Sequence, residues 1–163
     1  MHRQPLPQIV VVAHNLRSLH NVGAIFRTAD GCGVSRVCLT GYTGTPPRDM
    51  ISKTALGAEL AVPWEHHRQV IPLLRQLRKA GYQVLALECA PKAMSLSTFR
   101  PRYPVALVVG NEVTGLSPAV LRATDGVVAI PMLGVKASYN VSVAAGMALY
   151  TLRFLPNQIR RGH

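Results

Sequence analysis

The chain has 163 residues, 48% of them hydrophobic, enough for one domain with its own core and too many for a disordered chain. No apolar run reaches the roughly 18 residues of a membrane span. Eighteen basic against seven acidic residues give a net charge of +11, and arginine outnumbers lysine 14 to 4. Guanidinium forks suit phosphate oxygens, so the balance points to nucleic acid as the partner.

Three cysteines, Cys32, Cys38 and Cys89, show no paired CxxC spacing and read as thiols in a reducing compartment. The N-terminal MHRQPLPQ is too polar for a signal peptide, which makes the cytoplasm the expected location. The opening residues and the tail with Arg160 and Arg161 read as frayed ends around a single domain of about 8–155.

In chain order, Gln8–Ala13 is an apolar β-branched run, the first strand, buried on both faces. From Asn21 a helical stripe begins with Val22, Ile25, Phe26 and Ala29, ended by Gly31 and Gly33. Arg27 falls roughly opposite that stripe, at 100° per residue. Arg36–Thr40 is a second strand. A turn-rich loop then leads to a short helix around Ile51–Ala55 and a short strand over Val62–Glu65.

Arg68–Ala80 is an amphipathic helix, with Pro72 tolerated in its first turn. Strands follow at Tyr82–Leu87, Val105–Val109 and Gly126–Ile130, with a helix at Pro118–Ala123 before the last. The chain closes on Val141–Leu155, a helix apolar almost all round, which predicts enclosure by the domain or by a partner. Alternating strands and helices with continuous apolar strands predict an α/β fold: a mostly parallel sheet flanked by helices on both faces.

Three clusters carry possible chemistry. Asn21-x-Gly23-x-x-x-Arg27 places a helix-cap candidate, a glycine open to close approach and an outward arginine on one helix. Gly110-Asn111-Glu112-x-x-Gly115 follows a buried strand; Gly110 suits close backbone approach by a ligand, and Glu112 can cap a turn or hold a hydroxyl or cation. Ile130-Pro131-Met132 leads through a small-residue loop to Ser138-x-Asn140 at a helix start. There a plain capping role competes with a ligand loop able to hold an adenine.

The dinucleotide GxGxxG and the P-loop ending are both absent. Metal ligation is not expected: His66 and His67 are adjacent, and His14 and His20 lack partners at helical spacing.

Taken together, NLRSLHNVGAIFRTADGCGV, ALVVGNEVTGLS and IPMLGVKASYNVSVAAGMALY resemble the three motifs of the SpoU/TrmH family of the SPOUT superfamily, S-adenosylmethionine-dependent RNA 2′-O-ribose methyltransferases. The resemblance runs from the first strand to the last helix. Tyr139 departs from it, standing where the family usually has leucine between the serine and the asparagine.

The resemblance implies a Rossmann-like fold with a deep C-terminal trefoil knot, a homodimer, no separate RNA-binding domain, and RNA, tRNA ahead of rRNA, as substrate. Carried over by position, it implies cofactor contacts at Leu87, Gly110, Ile130, Met132 and Ser138. It implies Arg27 as the catalytic base, with Asn21, Glu112, Ser138 and Asn140 around it. An arginine side chain ordinarily holds its proton, with a pKa of about 12.5 or more, so a substrate phosphate and neighbouring groups must orient it for that task. Arg17, Arg27, Arg100, Arg102 and Arg153 are the candidates for RNA contact.

Overall fold

The computed structural model describes residues 5–155; Arg160 and Arg161 lie outside the described residues. The strands are β1 (Ile9–His14), β2 (Arg36–Thr40), β3 (Trp64–His67), β4 (Gln83–Leu87), β5 (Met94–Ser95), β6 (Val105–Val109) and β7 (Gly126–Ala129). The helices are α1 (Leu19–Gly31), α2 (Asp49–Ala55), α3 (Ala58–Ala61), α4 (Val70–Lys79), α5 (Pro118–Arg122) and α6 (Val141–Phe154).

The strands form one sheet in the order β3-β2-β1-β6-β4-β7-β5, and every pairing is parallel. Parallel sheets need both faces covered, and the strand residues divide accordingly. Ile9, Val11, Leu85, Val105 and Leu107 pack beneath α1, α2 and α6. Val10, Val12, Val84, Ala106 and Val108 pack beneath α4 and α5. This is the covered parallel α/β sheet that the alternation predicts.

The long connection from β4 to β6 lies against the C-terminal half of α6, where the Tyr103 hydroxyl donates to the Leu152 carbonyl. The loop before α6 lies against the ends of β4 and β6. The buried face of α6 is thereby covered by earlier chain, while the loop at 133–140 is exposed.

Several boundaries differ from the sequence reading. Ser18, not Asn21, caps α1, its side chain accepting from Asn21 N at 3.2 Å. Strand β3 starts at Trp64 because Val62 still bonds back to Ala58 and Pro63 already accepts from Val37. Gly23 does permit a close approach, but by α2: a Cβ there would come within 2.2 Å of the Ile51 carbonyl. Strand β5 has only two residues and no local pattern to reveal it; it exists because β7 offers an open edge.

Candidate active site

The C-terminal ends of β4, β6 and β7 open into a cavity of about 370 Å³. Open parallel sheets expose strand-end backbone and helix starts at this edge, which is why ligands collect there. Of the expected cofactor residues, Leu87, Gly110, Ile130 and Ser138 line the cavity; Met132, half-buried, lies outside its wall. The close approach at Gly110 is made by the protein itself: a Cβ there would meet Leu116 Cδ2 at 2.7 Å. Tyr139 lines the cavity, so the residue that departs from the family pattern sits where a ligand would be held.

The fold joins the three clusters through one chain of hydrogen bonds. Asn140 caps α6, its Oδ1 accepting from Ser142 N at 2.9 Å and Val143 N at 3.3 Å. Its Nδ2 donates to Asn21 Oδ1 at 3.2 Å. Asn21 Nδ2 donates in turn to Glu112 Oε1 at 3.0 Å. Glu112 also accepts from the backbone N–H groups of Arg17 at 2.9 Å and Ser18 at 3.0 Å. Asn140 therefore caps a helix and also faces the cavity; the two readings of the sequence are compatible.

Burial acts to raise the Glu112 carboxyl, but the hydrogen bonds from Arg17, Asn21 and Ser18 outweigh it and hold the group below the ordinary glutamate range. Glu112 is thus an anion, fixed in place, and a positioning group. Asn111, which the sequence reading left without a role, sets its turn. Asn111 Oδ1 accepts from Val113 N at 2.8 Å and Thr114 N at 2.9 Å, while Nδ2 donates to the Asn15 carbonyl and the Tyr42 hydroxyl. Glu88, immediately after β4, is a second cavity carboxylate that was missed. Its position just past a buried strand was the available signal.

The arginines separate by position. Arg27 is exposed on α1 and, among the described residues, makes no side-chain hydrogen bond or ion pair. It stands about 9 Å beyond Asn21 along the helix axis, at 1.5 Å per residue, and is not part of the cavity wall. Arg17 is exposed at the cavity end, its backbone tied to Glu112. Arg100 and Arg102 are exposed near the opposite end of the sheet; Arg102 N donates to Gln83, the first residue of β4, at 2.7 Å.

Arg153 corrects the sequence reading. It is only 5% exposed, and its three nitrogens donate to the carbonyls of Cys32 at 2.8 Å, Pro7 at 2.7 Å and Gly33 at 2.9 Å. It has no free face for a phosphate. Its charge is committed to the carbonyls at the C-terminus of α1, where a cation satisfies unpaired acceptors.

One group among the described residues has metal-ligand chemistry: atoms of Cys38, Glu65 and His67 lie within 4.8 Å of one another. Alternation along β3 pairs Glu65 with His67, bypassing the adjacent His66, a grouping that sequence spacing did not reveal. Arg36 Nε stands 3.5 Å and His67 Nε2 2.8 Å from Glu65 Oε1, and burial pushes the Cys38 thiol up to about 12. No described helix is long and apolar enough to cross a membrane.

The chain belongs to the SpoU rRNA Methylase family, whose model matches residues 8–150. It is 33% identical over 144 residues to a tRNA (guanosine(18)-2′-O)-methyltransferase of Escherichia coli K12, a match covering 88% of this chain and 62% of that protein. The chain thus spans less than two thirds of that relative's length. An AdoMet-bound rRNA methyltransferase from Sinorhizobium meliloti superposes with a TM-score of 0.83 at 30% identity, covering 94% of this chain and 58% of that one. A structure concerned with 2-OH methylation of C/U34 on tRNA superposes with a TM-score of 0.82 at 27% identity, covering 93% of this chain and 98% of that one.

Proposed function

We propose that the protein is an S-adenosylmethionine-dependent RNA 2′-O-ribose methyltransferase acting on tRNA in the cytoplasm. The hydrogen-bonded chain Asn140–Asn21–Glu112 carries this reading, because it ties the first motif segment to the two that line the cavity. The cavity suits the cofactor chemically: Leu87, Ile130, Val141 and Ala144 offer an apolar slot for adenine, and Glu88 and Glu112 offer acceptors for a ligand that carries hydroxyl and cationic groups. Bound there, the cofactor supplies an electrophilic methyl group on a sulfonium.

The chain's own residues do the rest. Glu112, Asn21 and Asn140 hold the rim in one geometry, so substrate meets a preorganised edge. Arg27, oriented by a substrate phosphate, first releases a proton to water and then takes the proton of the ribose 2′-hydroxyl as that oxygen bonds to the methyl carbon, with Ser138 supporting it from the loop. Arg17 contacts the RNA backbone at the cavity end and Arg27 contacts it from the exposed side of α1, with Arg100 and Arg102 as a second basic patch.

The working unit is a homodimer. Val143, Met147, Tyr150 and Phe154 are 48%, 37%, 56% and 43% exposed, in a stripe along α6 opposite its buried Ala145, Ala148, Leu149 and Leu152. The helix that the sequence reading expected to be dry all round thus has one apolar face open in the single chain, which a second copy would cover. A site completed by two subunits also suits the separation of Arg27 from the cavity wall.

Tritiated S-adenosylmethionine incubated with purified protein and with tRNA or rRNA tests this function. The expected result is label on tRNA, with ribose 2′-O-methyl mapping finding the same position modified in wild-type cells and unmodified in cells lacking the gene. An absence of cofactor heat in calorimetry would instead identify a non-catalytic RNA-binding protein of the same fold.

A further inference from the structure

We infer that Glu88 recognises the ribose diol of the cofactor, so that its carboxylate sorts nucleoside ligands by their hydroxyl groups. The inference rests on the reading of the cavity as a cofactor pocket.

Glu88 is the first residue past β4, the strand that lies between β6 and β7, and it lines the cavity beside Leu87. Its side chain is held from two sides. Oε1 accepts from Cys89 N at 3.1 Å, and Oε2 accepts from Leu116 N at 2.9 Å. Gly115, at φ +65°, leaves open the space beside Oε2, which a Cβ there would approach within 2.4 Å. The group therefore joins the end of β4 to the loop between β6 and α5 before any ligand arrives.

A carboxylate is acceptor-only and has about four lone-pair sites. The protein fills one on each oxygen, which leaves one on each for a ligand. Two adjacent acceptors match two adjacent hydroxyl donors, and an acidic group past a parallel strand is a known solution for holding a ribose. Glu112, the other cavity carboxylate, already receives Arg17 N, Ser18 N and Asn21 Nδ2 and is tied to the Asn140 side. The two carboxylates thus divide the cavity: Glu112 belongs to the reacting end, Glu88 to the adenosine end beside Leu87.

The test compares S-adenosylhomocysteine with its 2′-deoxy and 3′-deoxy analogues, by calorimetry, on the wild type and on Glu88→Gln. Loss of a charge-assisted hydrogen bond predicts that deleting a hydroxyl weakens wild-type binding about 10- to 100-fold. Glu88→Gln should weaken S-adenosylhomocysteine by a similar factor and show little further loss with the deoxy analogues. A structural role alone would leave the hydroxyl penalty intact in the variant, and that result overturns the inference. So does a wild type indifferent to both hydroxyls, a comparison that stands even if the variant does not fold. 5′-Methylthioadenosine, which lacks the amino-acid part, should weaken on the variant as much as S-adenosylhomocysteine does. Unchanged binding would assign Glu88 to the ammonium group instead. If wild-type protein binds none of these ligands, the reading of the cavity fails, and the inference fails with it.

Discussion

The two ends of α6 put similar chemistry to opposite use. At its start Asn140 is exposed, bonded to its own helix and to Asn21, and turned toward the cavity. At its end Arg153 is buried, with every nitrogen bonded to backbone carbonyl. The first end leaves polar groups where a ligand can meet them. The second consumes a full charge to fasten the last helix to the C-terminus of α1. Exposure, not residue type, separates a candidate site from a clamp, and the same contrast sets Arg27 apart from Arg153.

That contrast predicts substitutions that dissociate activity from stability. Arg27→Ala should reduce methyl transfer to RNA by about 10³-fold, in the range ascribed to a positioned proton acceptor, with cofactor affinity nearly intact by calorimetry. Methylation at the wild-type rate would remove Arg27 from the mechanism. Arg153→Ala should do the reverse. It orphans buried carbonyls and should cost about 3 kcal/mol in a urea titration, while the protein that remains folded binds RNA with unchanged salt dependence. A reduced salt slope would restore Arg153 as a phosphate contact.

Smaller effects sharpen the contrast. Asn140→Ala should cost about 1 kcal/mol of stability through the lost cap, and it should lower kcat more than it raises KM, because the link to Asn21 goes too. A purely structural cap would leave kcat unmoved. Tyr150→Glu places a charge on the open face of α6; light scattering should give a dimer for the wild type and a monomer for this variant, and a wild-type monomer would remove the proposed homodimer.

The smallest effect concerns His14, at the end of β1. Burial lowers its pKa below the usual 6.5, so the unfolded chain takes up the proton more readily than the folded one. Its contribution is therefore complete above about pH 6.5 and erodes as pH falls below that value. His14→Gln should flatten that part of the stability profile, and a slope unchanged in the variant would locate the titration elsewhere.

The strands β1, β2 and β6, the helices α1 and α6 and the three motif segments were all legible in the sequence. Each depends on patterning within a few residues: continuous apolar β-branched runs, a helical stripe from Val22 to Ala29, glycines at turns. Cavity residues carried by the motif resemblance, such as Gly110, Ile130 and Asn140, were legible for the same reason. What the sequence could not decide was where side chains end up once distant segments meet. Nothing near Arg153 announces that the carbonyls of Pro7, Cys32 and Gly33 will surround it, and nothing near Gly23 announces α2. Glu88 and Glu112 are both turn glutamates until the sheet order places β4 beside β6 and brings both to one cavity. Local propensity is set by neighbours in the chain, whereas burial, pairing and the division between clamp and site are set by contacts across a sheet ordered differently from the sequence.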